Sequence, residues 1–417
     1  MPQGKTYLNK ILFLLLSKYE RSKAFREGDA IIQRPQFVLK ESGLAGDYFD
    51  ELDYLKRETI NEALVQLESA GVIETKWVRF QVRKEAERVY LNPEALEKAY
   101  SMAGISPKAN KLEQLAVVFS PLSNHTWPWV RAYWTATVQQ LKNRKSSGMD
   151  LEDLDGYADL VKVLQSLPSL TDVISKRVFS QRVFKDSKHF ETKVERRLLS
   201  ILKKHGPDEF EKDDEYLDAI GIVAHPKPVL VGGPLVFNIS EQTVDISGLI
   251  GGTCLYLPTV KQMVVKHINT TRIITVENLT SYHQMIEVFP KDLVVFSGGF
   301  PHRTVQLLLK QISDYIKGLP AENCPSLFHW GDMDGGGFRI YQFIKANYFS
   351  QLEPLWMNEK TYMACLERGA PFDNKYASGL QAMRQDSRYE QFHRLIDLML
   401  SKKIKIEQES IEPGNLT

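Results

Sequence analysis

Three acidic residues have the types and positions needed to bind a metal ion, namely Glu277, Asp332 and Asp334. Glu277 follows the apolar run Arg272–Val276, and the two aspartates follow the run Leu327–Trp330. Such runs predict buried β-strands, and in an open α/β sheet ligands bind where the strands end. We therefore expect the three carboxylates to meet at one edge of a sheet. Carboxylate oxygens suit Mg²⁺ or Mn²⁺, and an ion held in this way can polarise a phosphodiester and activate water.

The spacing around these carboxylates is more specific than any one of its parts. Asp332 and Asp334 are two positions apart, so in an extended segment both side chains point to the same side. The glycines at 335–337 leave room for a phosphate to approach the backbone. Between the two acidic segments, the predicted strand Leu293–Phe296 leads to a pair of glycines. An isolated Asp-x-Asp is common in solvated loops. Three successive predicted strands that end in Glu-Asn, Gly-Gly and Gly-Asp-x-Asp-Gly form a much more specific pattern.

The first hundred residues predict a winged helix, in which a helix, a strand, a charged loop and a second strand follow one another. The predicted helix covers Arg57–Ser69, and Gly71 after it suits a left-handed cap. The predicted strands cover residues 72–78 and 89–91, with the charged loop between them. Winged helices bind either DNA or protein partners, and both roles are consistent with this segment.

Residues 111–205 are expected to be largely helical and to contain a basic block. Between residues 176 and 204, ten lysines and arginines are opposed by three acidic residues. Such a block can bind a polyanion, and a solvated helix face is the alternative interpretation. The candidate DNA-contact residues are Arg182, Lys185 and Lys188 in this block, and Lys76 and Arg79 in the predicted winged helix.

The overall composition is that of an ordinary globular protein. The residues are 43% hydrophobic and 25% charged, which is typical of globular proteins. The length of 417 residues favours two or three domains. The net charge of +1 neither requires nor excludes a polyanionic partner. Three widely spaced cysteines argue against a disulfide framework and a four-cysteine zinc site. No apolar run approaches the roughly 18 residues of a membrane span, so we expect a cytoplasmic protein with no membrane partner.

Changes of composition along the chain predict an α+β protein of several domains. We expect a winged-helix-like arm at 1–110, a helical and basic region at 111–205, a linker and the start of the C-terminal module at 206–265, and an α/β catalytic domain at 266–417. From about residue 206, runs rich in Val, Ile and Phe alternate with amphipathic helical stretches. This alternation favours mainly parallel strands.

The C-terminal pattern resembles the Toprim domain, the metal-binding α/β module of topoisomerases, primases and related nucleases. The chain is more similar still to the JetD family of bacterial Wadjet plasmid-defence systems, whose Toprim half is akin to the A subunit of topoisomerase VI. The residues that carry the resemblance are Asp186–Lys188 with Glu191, Thr275–Asn278, Gly298 and Gly299 with Pro301, His329–Asp334 and Ile406–Glu409. They span roughly residues 180–410, and the helical N-terminal half is compatible with the family's arm region.

The resemblance implies a homodimeric, metal-dependent endonuclease that cuts circular double-stranded DNA beside a condensin-like SMC complex. That complex would contain an SMC ATPase, a kleisin and winged-helix subunits. By position, Glu277 would be a metal ligand or a general acid/base, and Asp332 and Asp334 would be metal ligands.

The chain departs from the Toprim pattern at one position. Many Toprim domains carry a further acidic residue two positions after the aspartate pair, where this chain has Gly336. A second metal could then be held by Glu407 or Glu409, and a site with one metal is equally consistent with the sequence.

Other functions are consistent with some of the same residues. In a topoisomerase-like strand breaker a tyrosine attacks the phosphate and stays attached to the DNA, for which Tyr157, Tyr216 and Tyr256 are candidates by position. A non-catalytic DNA-binding or partner-binding subunit would need only the winged helix and the basic block. A nucleotide-sugar transferase also uses Asp-x-Asp, but it leaves the winged helix unexplained. The sequence contains no GxxxxGK[ST] or GxSxG motif for ATP binding or serine hydrolysis.

Overall fold

The computed structural model describes residues 3–28, 30–146, 148–206, 209–210 and 212–413. The chain divides into two compact units, which cover residues 1–165 and 166–417. Each unit contains both helices and β-sheets, so the fold is mixed α+β. Among the described residues, no helix combines the length and the apolar character needed to cross a lipid bilayer.

The first unit consists of helices and a small sheet. Its helices are α1 (Gln3–Arg21), α2 (Lys23–Glu27), α3 (Ala45–Tyr48), α4 (Tyr54–Ser69), α5 (Leu96–Ala103), α6 (Lys108–Phe119), α7 (Pro128–Lys142) and α8 (Leu154–Ser166). Its strands are β1 (Gln36–Val38), β2 (Ile73–Trp77) and β3 (Ala86–Leu91). The strands pair antiparallel in the order β1-β3-β2.

Helices α1 and α4 form the core of this unit with the small sheet. Ile11 and Leu15 of α1 and Ile60 and Leu64 of α4 are fully buried. Each pair is four residues apart, which puts both side chains on one face of the helix. Gly71 follows α4 with φ of 72°, a left-handed conformation that glycine adopts at low cost, and the chain then enters β2.

The second unit contains the larger sheet. Its helices are α9 (Lys176–Phe184), α10 (Glu195–His205), α11 (Asp213–Ala219), α12 (Leu257–Gln262), α13 (Leu279–Val288), α14 (Arg303–Lys317), α15 (Gly335–Asn347), α16 (Glu359–Ala364), α17 (Asn374–Gln385) and α18 (His393–Lys402). Its strands are β4 (Ile174–Ser175), β5 (Ile222–Val223), β6 (Val229–Gly232), β7 (Leu235–Ile239), β8 (Gln242–Asp245), β9 (Thr253–Leu255), β10 (Met263–Ile268), β11 (Arg272–Val276), β12 (Leu293–Phe296), β13 (Ser326–Trp330), β14 (Glu353–Pro354), β15 (Ala370–Pro371) and β16 (Ile404–Lys405).

The largest sheet has the strand order β14-β13-β11-β12-β6-β9. The first four of these strands are parallel, so their carboxyl ends share one edge. Strands β6 and β9 pair antiparallel, and β7, β8 and β10 form a separate antiparallel sheet. The expectation of mainly parallel strands from residue 206 onward therefore fails between residues 229 and 268. There β7 and β8 are joined by Ser240 and Glu241 alone, a loop too short for a parallel crossover.

The parallel strands are buried on both faces. Ile274 of β11 and Val294 of β12 are fully buried, and they belong to one core with Leu308 of α14 and Ile344 of α15. Burial on both faces explains why these strands are almost continuously apolar. It also leaves the strand ends as the positions where polar residues of this sheet can reach a ligand.

Candidate functional site

Glu277 lies at the carboxyl edge of the parallel strands. Val276, the last residue of β11, is aligned with Trp330, the last residue of β13. The backbone N–H of Glu277 donates to the carbonyl of Trp330 at 3.0 Å, which continues the ladder by one residue. Its half-buried side chain leaves the sheet at this point.

Asp332 meets Glu277 beyond the end of β13. The backbone N–H of Asp332 donates to Oε2 of Glu277 at 3.1 Å. Oδ1 of Asp332 accepts a hydrogen bond from the backbone N–H of Gln408 at 2.6 Å. The two sequence-predicted carboxylates are thus brought together, and each is oriented by a backbone amide.

Asp334 has a different local role, as the N-cap of α15. Its Oδ1 accepts from the backbone N–H of Gly337 at 2.9 Å, and its Oδ2 lies 3.7 Å from Nζ of Lys405. Asp334 therefore has a basic partner in Lys405. The glycines at 335–337 form the first turn of α15, and a Cβ on Gly337 would collide with the backbone of Asp332. Glycine here permits the helix to start directly against the site.

A segment far along the chain closes the same edge. The fully buried side chain of Gln408 accepts from the backbone N–H of Asn278 at 2.8 Å and donates to the carbonyl of Trp330 at 2.8 Å. The side-chain amide of Asn278 also donates to Oε1 of Glu409. We call Glu277, Asp332, Asp334 and the segment 407–409 the carboxylate edge.

The carboxylate edge concentrates negative charge. Burial raises the pKa of Asp332 to about 7, with further contributions from the charges of Asp334, Glu409 and Glu407. The hydrogen bond from the Gln408 amide acts in the opposite direction without cancelling the shift. A group of carboxylates that holds one member partly protonated near neutral pH would be stabilised by a bound cation.

The donor atoms of this edge fit a divalent metal ion, although the side chains do not yet surround one. Its oxygen donors are the hard ligands that Mg²⁺ and Mn²⁺ take. Within the described ranges, no group of three or more His, Cys, Asp or Glu side chains is already arranged to hold a metal.

A buried histidine lies in the strand next to the one that leads to Glu277. His329, in β13, is fully buried, and burial lowers its pKa to about 3, so its imidazole is neutral near pH 7. Its Nδ1 lies 2.8 Å from Oγ1 of Thr275 in the neighbouring strand β11. A neutral imidazole can donate from one ring nitrogen and accept at the other.

The candidate DNA-contact residues lie on other elements. Arg182 is exposed near the end of α9, Lys185 ends that helix with φ of 61°, and Lys188 follows in the next turn. In the first unit, exposed Lys76 pairs with Glu87 at 2.9 Å, and Arg79 lies 4.9 Å from the ring centre of Phe80. Lys76 is thus partly neutralised by its cross-strand neighbour.

The candidate tyrosine nucleophiles differ in exposure. Tyr157 and Tyr216 are each 7% exposed, and the hydroxyl of Tyr157 accepts from the backbone N–H of Asp150 at 3.1 Å. Such burial argues against either hydroxyl attacking DNA. Tyr256 is 55% exposed and precedes α12.

Sequence patterns did not indicate three residues that support the site. Gln408 is fully buried between two glutamates, Lys405 approaches Asp334, and the hydroxyl of Tyr376 accepts from the backbone N–H of Gly335 at 2.8 Å. The segment Ile406–Glu409 contributed to the family resemblance, which was the available signal. Nothing in local polarity distinguishes a buried glutamine between acidic residues from an exposed one.

The sequence matches a known protein along almost its entire length. The family model described as Wadjet protein JetD, C-terminal, matches residues 235–417. A Wadjet protein JetD of Bacillus cereus (strain Q1) is 38% identical over 406 residues, which cover 97% of this chain and 98% of the relative. This chain belongs to the JetD family. The part matched by the JetD family model contains the whole carboxylate edge, including the distant segment around Gln408.

Proposed function

We propose that this protein is a metal-dependent endonuclease, the nuclease subunit of a Wadjet defence system, and that it hydrolyses double-stranded circular DNA. Membership of the JetD family and the arrangement of the carboxylate edge support this proposal. The observation that carries it is the meeting of Glu277 and Asp332 at one strand-end edge, close to further acidic side chains. Burial raises the pKa of Asp332 to about 7, with further contributions from the charges of Asp334, Glu409 and Glu407.

Glu277, Asp332 and Asp334 are the residues proposed to hold Mg²⁺ or Mn²⁺, with Glu407 or Glu409 available for a second ion. When bound, such an ion polarises a phosphodiester and lowers the pKa of a coordinated water. The protein's own contribution is orientation. The amides of Asp332 and Gln408 fix the carboxylates of Glu277 and Asp332, so that less reorganisation is needed when the substrate arrives.

We also propose fold assignments finer than mixed α+β. The parallel strands β11 and β13, which end shortly before Glu277 and Asp332, support a Toprim-like catalytic module in the second unit. The order α4, β2, charged loop and β3 supports a winged helix in the first unit. In this proposal Arg182, Lys185 and Lys188 contact DNA phosphates, and Lys76 and Arg79 do so from the winged helix. Phosphate contacts of this kind position DNA without reading its sequence.

The family resemblance also supports the proposed partners. A condensin-like SMC complex would deliver circular DNA to this subunit in the cytoplasm. A homodimer would supply one carboxylate edge for each DNA strand, and twofold symmetry suits a double-strand break.

The test is cleavage of closed circular plasmid with Mn²⁺ and with Mg²⁺, first by the protein alone and then with its reconstituted SMC complex. We expect Glu277→Gln and Asp332→Asn to lose more activity than the roughly 10- to 100-fold cost of removing an outer-shell partner of a metal. Glu287→Gln, which changes an exposed carboxylate on α13, is the matched control and should cut normally.

The products distinguish the alternatives. Linear DNA with free ends supports hydrolysis by water, whereas ends that stay protein-bound until protease digestion support a tyrosine nucleophile, with exposed Tyr256 the first to replace. If the reconstituted complex cuts equally well with both carboxylate variants, the proposed site is wrong.

A further inference from the structure

His329 is a buried polar residue that the proposed chemistry does not yet use. It is fully buried, and its Nε2 has no hydrogen-bond partner among the described residues. Buried polar nitrogens are nearly always paired, so an unpaired one in a native site calls for a specific explanation.

Gly331 lies next to both Nε2 of His329 and the carboxylate of Glu277. A Cβ built on Gly331 would lie 2.8 Å from Nε2 of His329 and 2.7 Å from Oε2 of Glu277. The two atoms are therefore at most 5.5 Å apart, the sum of these distances. Glycine at 331 keeps open the space that they share, and two hydrogen-bonding groups at such a separation can be joined by one water.

Thr275 sets which nitrogen of His329 carries the proton. The Thr275 hydroxyl has one hydrogen, which it donates to the carbonyl of Phe328 at 3.2 Å, and its oxygen lies 2.8 Å from Nδ1 of His329. Both contacts are hydrogen bonds when Nδ1 carries the ring proton and donates it to the Thr275 oxygen. Nε2 of the neutral ring is then an acceptor close to the Glu277 carboxylate.

We propose that His329 is a positioning residue for Glu277, in which one bridging water donates to Nε2 of His329 and to the Glu277 carboxylate and so orients that carboxylate. The inference rests on the proposed function, because it assigns to His329 the orientation of a proposed metal ligand. Groups that orient metal ligands in this way are known to tune metal affinity. Thr275, His329 and Glu277 would form one line of hydrogen bonds running from the sheet interior to the carboxylate edge.

The experiment measures Mn²⁺ binding to the full chain by electron paramagnetic resonance of the unbound ion, together with thermal unfolding of the metal-free protein. His329→Gln keeps an amide group, whose oxygen can accept a hydrogen bond, near the position of Nε2. His329→Asn keeps a polar group near the position of Nδ1, facing Thr275, but has no polar atom near the position of Nε2. We expect His329→Asn to weaken Mn²⁺ binding about 10- to 100-fold and His329→Gln to stay well below that loss.

The outcomes separate this inference from the proposed function. Loss of Mn²⁺ binding in Glu277→Gln with normal binding in His329→Asn overturns the inference and leaves the metal site intact. Normal binding in Glu277→Gln overturns the metal site itself. Equal weakening in both His329 variants, matched by equal losses of thermal stability, would mean that His329 acts only in packing, which also overturns the inference.

A third variant covers the case in which His329→Asn fails to fold. Thr275→Val keeps the shape of the side chain and removes the hydroxyl that fixes the imidazole. Weaker Mn²⁺ binding in this variant supports the proposed line of hydrogen bonds, and wild-type binding overturns it.

Discussion

Charged residues behave differently in the two sheets of this protein. In the small sheet of the first unit, Lys76 on β2 and Glu87 on β3 form an exposed ion pair at 2.9 Å. At the end of the parallel sheet in the second unit, Glu277 and Asp332 are half-buried and are anchored by backbone amides. Water screens the first pair, whereas burial and neighbouring negative charge raise the pKa of Asp332 to about 7.

The contrast shows that environment, rather than residue type, decides whether the pKa of an acidic side chain is shifted. Exposed pairs contribute little to stability because water already solvates each partner. Burial, together with the charges of Asp334, Glu409 and Glu407, raises the pKa of Asp332, and a nearby cation would favour its charged form. Altering the two regions in parallel tests this contrast directly.

The largest expected effect comes from the residue that closes the carboxylate edge. Gln408→Leu removes the partner of the Asn278 N–H and one donor to Trp330, so we expect the free energy of unfolding to fall by about 1–3 kcal/mol. DNA cleavage should fall as well, because the segment that carries the amide bonded to Asp332 is no longer anchored. Urea denaturation and the plasmid assay measure the two effects.

The matched control is Gln381→Leu, the same substitution at an exposed position of α17. It should leave both unfolding and cleavage unchanged. Equal destabilisation by the two substitutions would contradict the role assigned to Gln408.

An intermediate effect is expected from pH. The pKa of Asp332 rises from an ordinary value of 3.8 to about 7 in the folded protein. Between these values the folded state binds more protons than the unfolded state, so metal-free wild type loses stability as pH rises from about 4 to 7. Asp332→Asn does not titrate, and near pH 8 its Tm should exceed that of wild type by about 2–4 °C, the shift that 1 kcal/mol produces in a unit of this size.

Thermal unfolding in the presence of a chelator measures this difference. The Tm difference between Asp332→Asn and wild type should shrink towards zero below pH 4, where Asp332 is protonated and is therefore uncharged like asparagine. A difference that is constant across the whole range would show that Asp332 is not the titrating group.

The smallest effect is expected in the first unit. Glu87→Gln breaks the exposed pair with Lys76, and we expect a loss of no more than about 0.5 kcal/mol, with still less at high salt. Unfolding at low and high ionic strength measures it. A loss as large as that of Gln408→Leu would abolish the contrast between the two sheets.

The sequence predicted the strands of the site more completely than the contacts between them. The apolar runs before Glu277 and Asp332 are strands β11 and β13, because burial on both faces leaves a strong local pattern. The antiparallel pairing of β7 with β8 follows from turn geometry that the alternation of elements did not reveal. The Gln408 contacts depend on tertiary packing, which no local period records, and the winged-helix and Toprim assignments remain predictions.

The long sequence separation between Asn278 and its partners Gln408 and Glu409 also affects how the site forms. These residues bond to Asn278 across 130 and 131 positions of sequence. Contacts between residues so far apart in sequence carry a cost in chain entropy, so we expect them to form late in folding, after the structure between them. We therefore expect the carboxylates to reach their aligned geometry only when the second unit has folded, and incompletely folded chains to lack the arrangement proposed to cut DNA.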